Sequence, residues 1–154
     1  MFFRPQTNYE RSNAITTVKF PVGAEAKELA QQILQSSDAA IRQKMSETLL
    51  DILSDAARID ICHLTVTDTR QHHRRRNGRT VLKLYGHYRP QTNAISIQNR
   101  TAVRGQILAP KTFLDTLLHE WLHHYDTHAL KLRSIHTAGF YYRLQSLKRI
   151  LSIQ

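Results

Sequence analysis

The chain has little of what several protein classes require. Cys62 is its one cysteine among 154 residues, which excludes an intrachain disulfide scaffold and favours a reducing compartment. It holds only 5 glycines and 4 prolines, so it is not a low-complexity chain. No apolar run approaches the roughly 20 residues of a membrane span. The first five residues lack the apolar core of a secretory signal, so we expect a cytoplasmic protein, near the nucleoid if it binds DNA.

Acidic residues are scarce in the second half of the chain. Residues 1–60 hold seven Lys/Arg and eight Asp/Glu, a net charge of −1, whereas residues 61–154 hold fifteen and four, a net of +11. Between Asp68 and Asp115 there are ten basic residues and no acid. Such a block is typical of a surface that meets a polyanion, because phosphate contacts supply most nucleic-acid affinity. A solvated surface that only keeps the protein soluble is the alternative.

The length suits one domain. Residues 1–20 show no sustained period and predict an N-terminal arm, followed by a domain over 21–154. Apolar spacing predicts a helix over 24–35. A second helix follows a cap at Ser37 or Asp38, and its predicted inner face comprises Ile41, Met45, Leu49, Ile52, Leu53 and Ala56.

The spacing of apolar residues then changes from the 3.6-residue period of a helix to the two-residue period of a strand. Residues 62–66, 81–88 and 94–98 predict three strands, with Cys62 in the core and a turn at Asn77-Gly78. Pro110 begins a third helix, and residues 137–152 form a fourth. This order predicts an α+β domain with N-terminal helices, a small antiparallel three-stranded sheet and a C-terminal helix.

The third helix contains the pattern H-E-x-x-H, at His119-Glu120-Trp121-Leu122-His123. Two histidines four residues apart stand one turn above each other and can hold one metal ion. Both point away from the predicted apolar stripe of this helix, which comprises Leu114, Leu117, Leu118, Trp121, Leu122 and Tyr125. The glutamate between them can flank the metal and act as a base on bound water. Two ordinary surface histidines are the alternative.

A catalytic zinc site needs a third protein ligand and an open position. The residue six positions after His123 is an alanine, and no acid follows Asp126. His124 and His128 lie toward the apolar stripe of the helix. His136 remains, at a distance that allows a helix end, a loop and a return to the metal. His128 and Asp126 are the next candidates.

These histidines carry a resemblance to a known family. The H-E-x-x-H pattern followed by His136-Thr137-Ala138-Gly139-Phe140 resembles the SprT-like (Spartan-related) zinc metallopeptidase family, whose third histidine begins an H-x-x-x-F segment. Residues 84–88 and 93–97 resemble the hairpin before the active helix of that family. Many members have glycine where this chain has Thr137, and members with a zinc ribbon need paired cysteines.

The resemblance implies a zincin-like fold with one zinc ion on His119, His123 and His136, and with Glu120 as general base. Weaker site candidates come from the residues themselves. Tyr141 and Tyr142 are candidate oxyanion donors, although such tyrosines also pack at surfaces.

Asp115 lies one turn before His119 and is a candidate partner that orients it, or an ordinary exposed acid. Tyr85 and His87 either line a substrate groove or lie on an exposed sheet face. The substrate backbone is expected to add to the sheet edge at residues 94–98.

Together these features predict a zinc metalloprotease in which Glu120 activates a zinc-bound water to hydrolyse peptide bonds. Its partners are then a protein or peptide substrate and, from the resemblance and the charge, DNA to which such proteins are bound or crosslinked. Two alternatives stay open: a basic nucleic-acid-binding module with structural or vestigial zinc, and a zinc hydrolase of non-peptide substrates.

The densest basic segment spans residues 70–79. It predicts a hairpin tip that binds DNA phosphates without reading sequence, because its arginines have no acids with which to pair in a core. A solvated tip is the alternative. The candidate phosphate ligands are Arg70, Arg74, Arg75, Arg76 and Arg79.

Overall fold

Helices and strands alternate in blocks along the chain. A computed structural model describes residues 4–70, 73–76, 79–83, 85–101 and 104–154, and the side chains of 4–68, 85–101 and 104–154. Within these residues the elements are α1 (Asn8–Ala14), α2 (Ala24–Ile33), α3 (Ala39–Ala56), β1 (His63–Arg70), β2 (His73–Arg76), β3 (Arg79–Lys83), β4 (Gly86–Arg89), β5 (Ala94–Arg100), α4 (Pro110–His128) and α5 (Ala138–Ile150). The predicted α+β class is confirmed.

The three-stranded sheet is mixed, so the predicted antiparallel sheet is wrong. Its order is β1-β5-β4, with β4 antiparallel and β1 parallel to the central strand β5. The turn over residues 90–93, where Asn93 has a φ of 58°, folds β4 back beside β5 as a hairpin. The other edge of β5 then pairs with β1, and Ile95 faces Leu64 on one side and Tyr88 on the other.

The predicted strand over 81–88 is two strands that belong to different sheets. Its first part falls in β3, which pairs antiparallel with β2 in a separate two-stranded ribbon. Its second part falls in β4, at the edge of the main sheet. The predicted turn at Asn77-Gly78 lies outside the described residues.

The inner face of α3 is rotated from the predicted one. Asp38 caps the helix as expected, but Ile41 is 54% exposed and Arg42 is fully buried. The guanidinium of Arg42 donates to Asn99 Oδ1 at 2.6 Å and to the Ser36 carbonyl at 2.7 Å. These acceptors compensate for the lost hydration of a charge, so a polar residue occupies a core position that apolar spacing could not predict.

The helix α4 is the centre of the core. Its predicted stripe is confirmed, because Leu114, Leu117, Leu118, Trp121, Leu122 and Tyr125 are all buried. Pro110 lies in its first turn, as predicted. The sheet strands β4 and β5 pack on α4, and α5 packs beside it with Phe140, Leu144 and Leu147 buried. The remaining face of α4 is left for a site.

The segment that we interpreted as an arm contains the helix α1. Thr7 caps it, with reciprocal bonds to Glu10, and the helix packs on α5. A side-chain carbon at Gly139 of α5 would collide with the carbonyl oxygen of Ser12 and lie 2.7 Å from that of Asn13. A glycine therefore lets α1 approach α5 this closely. Among the described residues no helix has the length and apolarity that crossing a membrane requires.

Cys62 is buried as predicted, and it provides a test of the core. Burial raises the pKa of its thiol to about 12. Since the thiolate is the reactive form, we expect negligible reaction with a thiol-specific reagent in the native protein and full reaction in denaturant. Rapid labelling of the native protein would contradict this placement of the strand.

Candidate metal centre

Three histidines converge on one point beside α4. His119 and His123 lie one turn apart on its free face, and the Nε2 atom of His136 is 3.1 Å and 3.0 Å from their Nε2 atoms. The three nitrogens all lie within 4.8 Å of one another. They are close enough to bind one metal ion, as the spacing of the sequence predicted.

The loop over residues 129–136 returns His136 to the helix. Beyond α4 the backbone turns at Lys131, which has a φ of 55°, and the Leu132 amide donates to the Asp126 carbonyl at 2.9 Å. Thr137 then begins α5, because its hydroxyl accepts the Phe140 amide at 3.0 Å. His136 is therefore the last residue before the N-cap of α5.

Phe140 forms the apolar floor of the histidine cluster. Its ring is fully buried, and its centroid lies 5.0 Å from that of His119, 4.6 Å from that of His123 and 5.3 Å from that of His136. The phenylalanine of the H-x-x-x-F segment therefore packs against all three candidate ligands.

Burial keeps two of the imidazoles in their ligating form. It lowers the pKa of His119 to about 4, with a further contribution from His136. It lowers the pKa of His123 to about 3, helped by the neighbouring histidines and Arg143. Both rings are thus neutral at pH 7, which is the state that binds a metal.

Glu120 lies beside the cluster, and its side chain is nearly buried. The residue is 7% exposed, and its buried Oε2 has no hydrogen-bond partner among the described residues. Burial raises the pKa of this carboxyl to about 7. An unpartnered buried acceptor beside three converging nitrogens indicates a site for a polar ligand.

Two clefts meet at Glu120 and His136. The larger, of about 580 Å³, extends past Tyr85, Gly86 and Asp115 toward α5. The smaller, of about 410 Å³, lies on the other side and is lined by His87, Tyr88, Pro90, Thr127, Leu132 and Arg133, among others. Gly86 also lines both clefts, so the cluster lies where the two adjoin to form a groove, with Tyr85 in the wall of the larger cleft and His87 in that of the smaller.

The second ring nitrogen of His123 is also bound. Its Nδ1 lies 2.7 Å from Ser134 Oγ, and the Ser134 hydroxyl donates to Asp126 Oδ2 at 2.7 Å. Asp126 in turn accepts two bonds from Arg143, at 3.0 Å and 2.8 Å, and both side chains are fully buried. Sequence reasoning considered Asp126 only as a ligand and missed Ser134 and Arg143.

The structure places Asp115, Tyr141 and Tyr142 at different distances from the cluster. Asp115 pairs with Lys148, Nζ to Oδ1 at 2.8 Å, rather than with His119. Tyr141 lines the larger cleft, its ring centroid 6.3 Å from that of His119. Tyr142 is 61% exposed and lines a separate hollow with Thr16, Thr17 and Arg149. Only Tyr141 of the two tyrosines therefore lies near the cluster.

The other histidines of α4 are engaged elsewhere. The ring nitrogens of His124 lie 2.6 Å from the Asp60 carbonyl and 2.9 Å from the Tyr88 hydroxyl. His128 Nε2 lies 2.7 Å from Asn93 Oδ1. These contacts explain why two more histidines on the same helix do not join the cluster.

The basic segment is only partly described. Arg70 ends β1, Arg74 to Arg76 lie in β2, and Arg79 begins β3, so the described positions of the segment lie in strands rather than in one turn. Their side chains lie outside the described residues.

Comparison with protein-family models, with curated proteins and with solved structures finds no match to this chain.

The cluster geometry predicts which histidine variants lose metal. His136→Ala should abolish binding of about one metal ion per chain, because two ligands from one helix leave the site incomplete. His128→Ala is the matched control and should retain the metal, since its ring contacts Asn93. Metal content after dialysis measures both. Full occupancy in His136→Ala, or its loss in His128→Ala, would contradict the assignment.

Proposed function

We propose that this chain is a zinc-dependent peptidase of SprT-like type. The observation that carries the proposal is the buried Oε2 of Glu120, which has no hydrogen-bond partner in the described part of the chain and lies where two clefts meet beside three convergent imidazoles. A structural metal site would need a fourth ligand and would have no use for such an acid. The following steps rest on the chemistry of these groups.

Zinc fits the donor set. Tetrahedral coordination at 2.0–2.1 Å places two nitrogen ligands roughly 3.3 Å apart, close to the 3.0 Å and 3.1 Å separations of the cluster. Three histidines with one position open is also the donor number of catalytic zinc. When bound there, zinc would supply Lewis-acid polarisation of a carbonyl and lower the pKa of water.

Glu120 would act as general base and then as general acid. Its carboxylate would accept a proton from water in the groove and pass that proton to the amine that leaves. Burial favours this role, because a carboxylate whose pKa is raised to about 7 is a stronger base toward water than an ordinary glutamate and can return the proton near neutral pH. Tyr141 is the candidate donor to the developing oxyanion, from the wall of the larger cleft.

The substrate backbone would pair with β4 rather than with residues 94–98. Strand β5 holds those residues and has β1 and β4 on its two sides, so its edges are used. Among the described strands, β4 lies at the sheet edge and packs on α4 beside the groove. At Gly86 a side-chain carbon would come within 2.8 Å of the Ser96 carbonyl oxygen and 3.2 Å of Thr116, so glycine permits this approach.

Antiparallel pairing with β4 would fix the direction of the substrate. The smaller cleft extends toward Pro90, just after the end of β4, and the larger toward Tyr85, just before its start. A strand that runs opposite to β4 would therefore place residues before the scissile bond in the smaller cleft. Residues after that bond would occupy the larger cleft, where Asp115 and Lys148 lie.

Two other functions remain as alternatives. The one-sided charge of residues 61–154 favours contact with nucleic acid, and it supports either a DNA-linked peptidase or a binding module with structural zinc. A zinc hydrolase of non-peptide substrates would use the same three histidines. Cleavage of proteins, assayed with and without DNA, separates the three.

Glu120→Gln tests the mechanism. The amide keeps the shape of the side chain and cannot take up a proton, so we expect zinc content to be unchanged and peptide hydrolysis to fall at least about 10²–10⁴-fold. Zinc analysis and turnover of a protein substrate are measured on the same preparation. Near-normal turnover would remove Glu120 from the reaction.

Replacing Arg74, Arg75 and Arg76 together by Ser tests the DNA contact. Binding should weaken equally for unrelated sequences, and the slope of log affinity against log salt should flatten by up to about three, roughly one per lost phosphate contact. Zinc content serves as the control and should not change. An unaltered salt slope would assign these arginines to solubility.

A further inference from the structure

The proton on His123 can be located from its hydrogen bonds. The Ser134 hydroxyl has one proton, and it donates that proton to Asp126 Oδ2. In the contact with His123, Ser134 Oγ must therefore accept, so the proton of the ring is on Nδ1. Nε2 then carries the lone pair, and it is the atom that faces His136.

Arg143 ties this arrangement to the N-terminal helix. Besides its two bonds to Asp126, its guanidinium donates to the Ser12 carbonyl at 2.6 Å and to Ser12 Oγ at 3.2 Å. Ser12 Oγ lies 2.9 Å from the hydroxyl of Thr137, the N-cap residue that follows His136. One buried network thus runs from a candidate ligand on α4, through α1, to the start of α5.

Helix α1 also holds the loop that carries Ser134 and His136. Asn8 makes a pair of bonds with the backbone of Arg133, donating to its carbonyl at 2.8 Å and accepting its amide at 2.9 Å. Arg11 donates to the Leu130 carbonyl at 2.8 Å. A loop whose backbone is already held at residues 130 and 133 would lose less entropy on binding a metal ion, so these contacts favour binding.

We propose that Ser134 and Asp126 are positioning residues that fix the tautomer and ring orientation of His123. We also propose that α1 increases metal affinity by holding the loop that carries Ser134 and His136. The inference rests on the proposed function only in assuming that the three histidines bind zinc. Partners of this kind commonly contribute 10–100-fold to metal affinity.

Ser134→Ala and Ser134→Thr separate positioning from mere support of the fold. The alanine variant leaves Nδ1 of His123 without its acceptor, so we expect the zinc dissociation constant, from chelator competition, to rise about 10- to 100-fold. Threonine keeps the hydroxyl and should restore affinity to within a few-fold. Ser46→Ala, which removes a buried hydroxyl with no partner among the described residues, is the matched control and should bind zinc normally.

The melting temperature of the metal-free variants provides the second readout. A residue that only supported the fold would lower this temperature and leave the zinc affinity of the folded protein unchanged, and that result would overturn the proposal. A Ser134→Ala affinity within twofold of the wild type would also overturn it. If the wild type itself binds no zinc, the proposed function fails first, which is a distinguishable result.

Asn8→Ala tests the contribution of α1. Loss of both bonds to the loop should weaken zinc binding by about threefold to tenfold, the effect of one or two hydrogen bonds. Tyr9→Ala, an exposed neighbour on the same helix, is the control and should have no effect. Equal affinities in the two variants would show that α1 does not support the metal centre.

Discussion

The buried ion pair between Asp126 and Arg143 is the constraint on which the site depends. Both side chains are fully buried, so each charge has lost its hydration and must be compensated by the other and by added hydrogen bonds. Burial raises the pKa of Asp126, while Arg143 and Ser134 act to lower it. Removing one partner of such a pair typically costs 3–5 kcal/mol, which explains why the elements that meet there are held in one arrangement.

The two faces of α4 explain how the core and the site are combined. One face is apolar and packs against the sheet and the other helices, which fixes the direction of every remaining side chain. His119 and His123 lie on the free face because four residues make just over one turn. Their positions therefore follow from burial of Leu118 and Leu122, and no separate device is needed to bring these two ligands together.

The spacing of residues along the sequence was sufficient to predict features that lie within a single helix. The stripe of α4, its start at Pro110 and the histidine pair follow from a period of 3.6 residues. Strand pairing is different, because nothing in the alternation of residues 62–66 indicates that β1 lies parallel to β5. Arg42 shows the same limit: its burial depends on Asn99 and Ser36, which only the folded chain brings within reach.

The three predicted histidines do lie close together, but the residues that support them were not predicted. His136 could be selected because other residues at suitable spacings were excluded, whereas Ser134 gave no signal by type or period. Asp126 was visible three residues after His123, on the same side of the helix, but its role depends on Arg143, seventeen residues further along.

The three histidines differ in the conformational entropy that is lost when each is held in place. Two come from one helix and are ordered when the core forms, so binding of a metal ion there would add little further loss of entropy for them. The third comes from a loop, and an unsupported loop would have to be ordered by the metal itself. Helix α1 lowers this entropy cost, because it binds the loop backbone through Asn8 and the start of α5 through Ser12. The segment predicted as an arm thus supports the loop and the start of α5, between which His136 of the candidate metal centre lies.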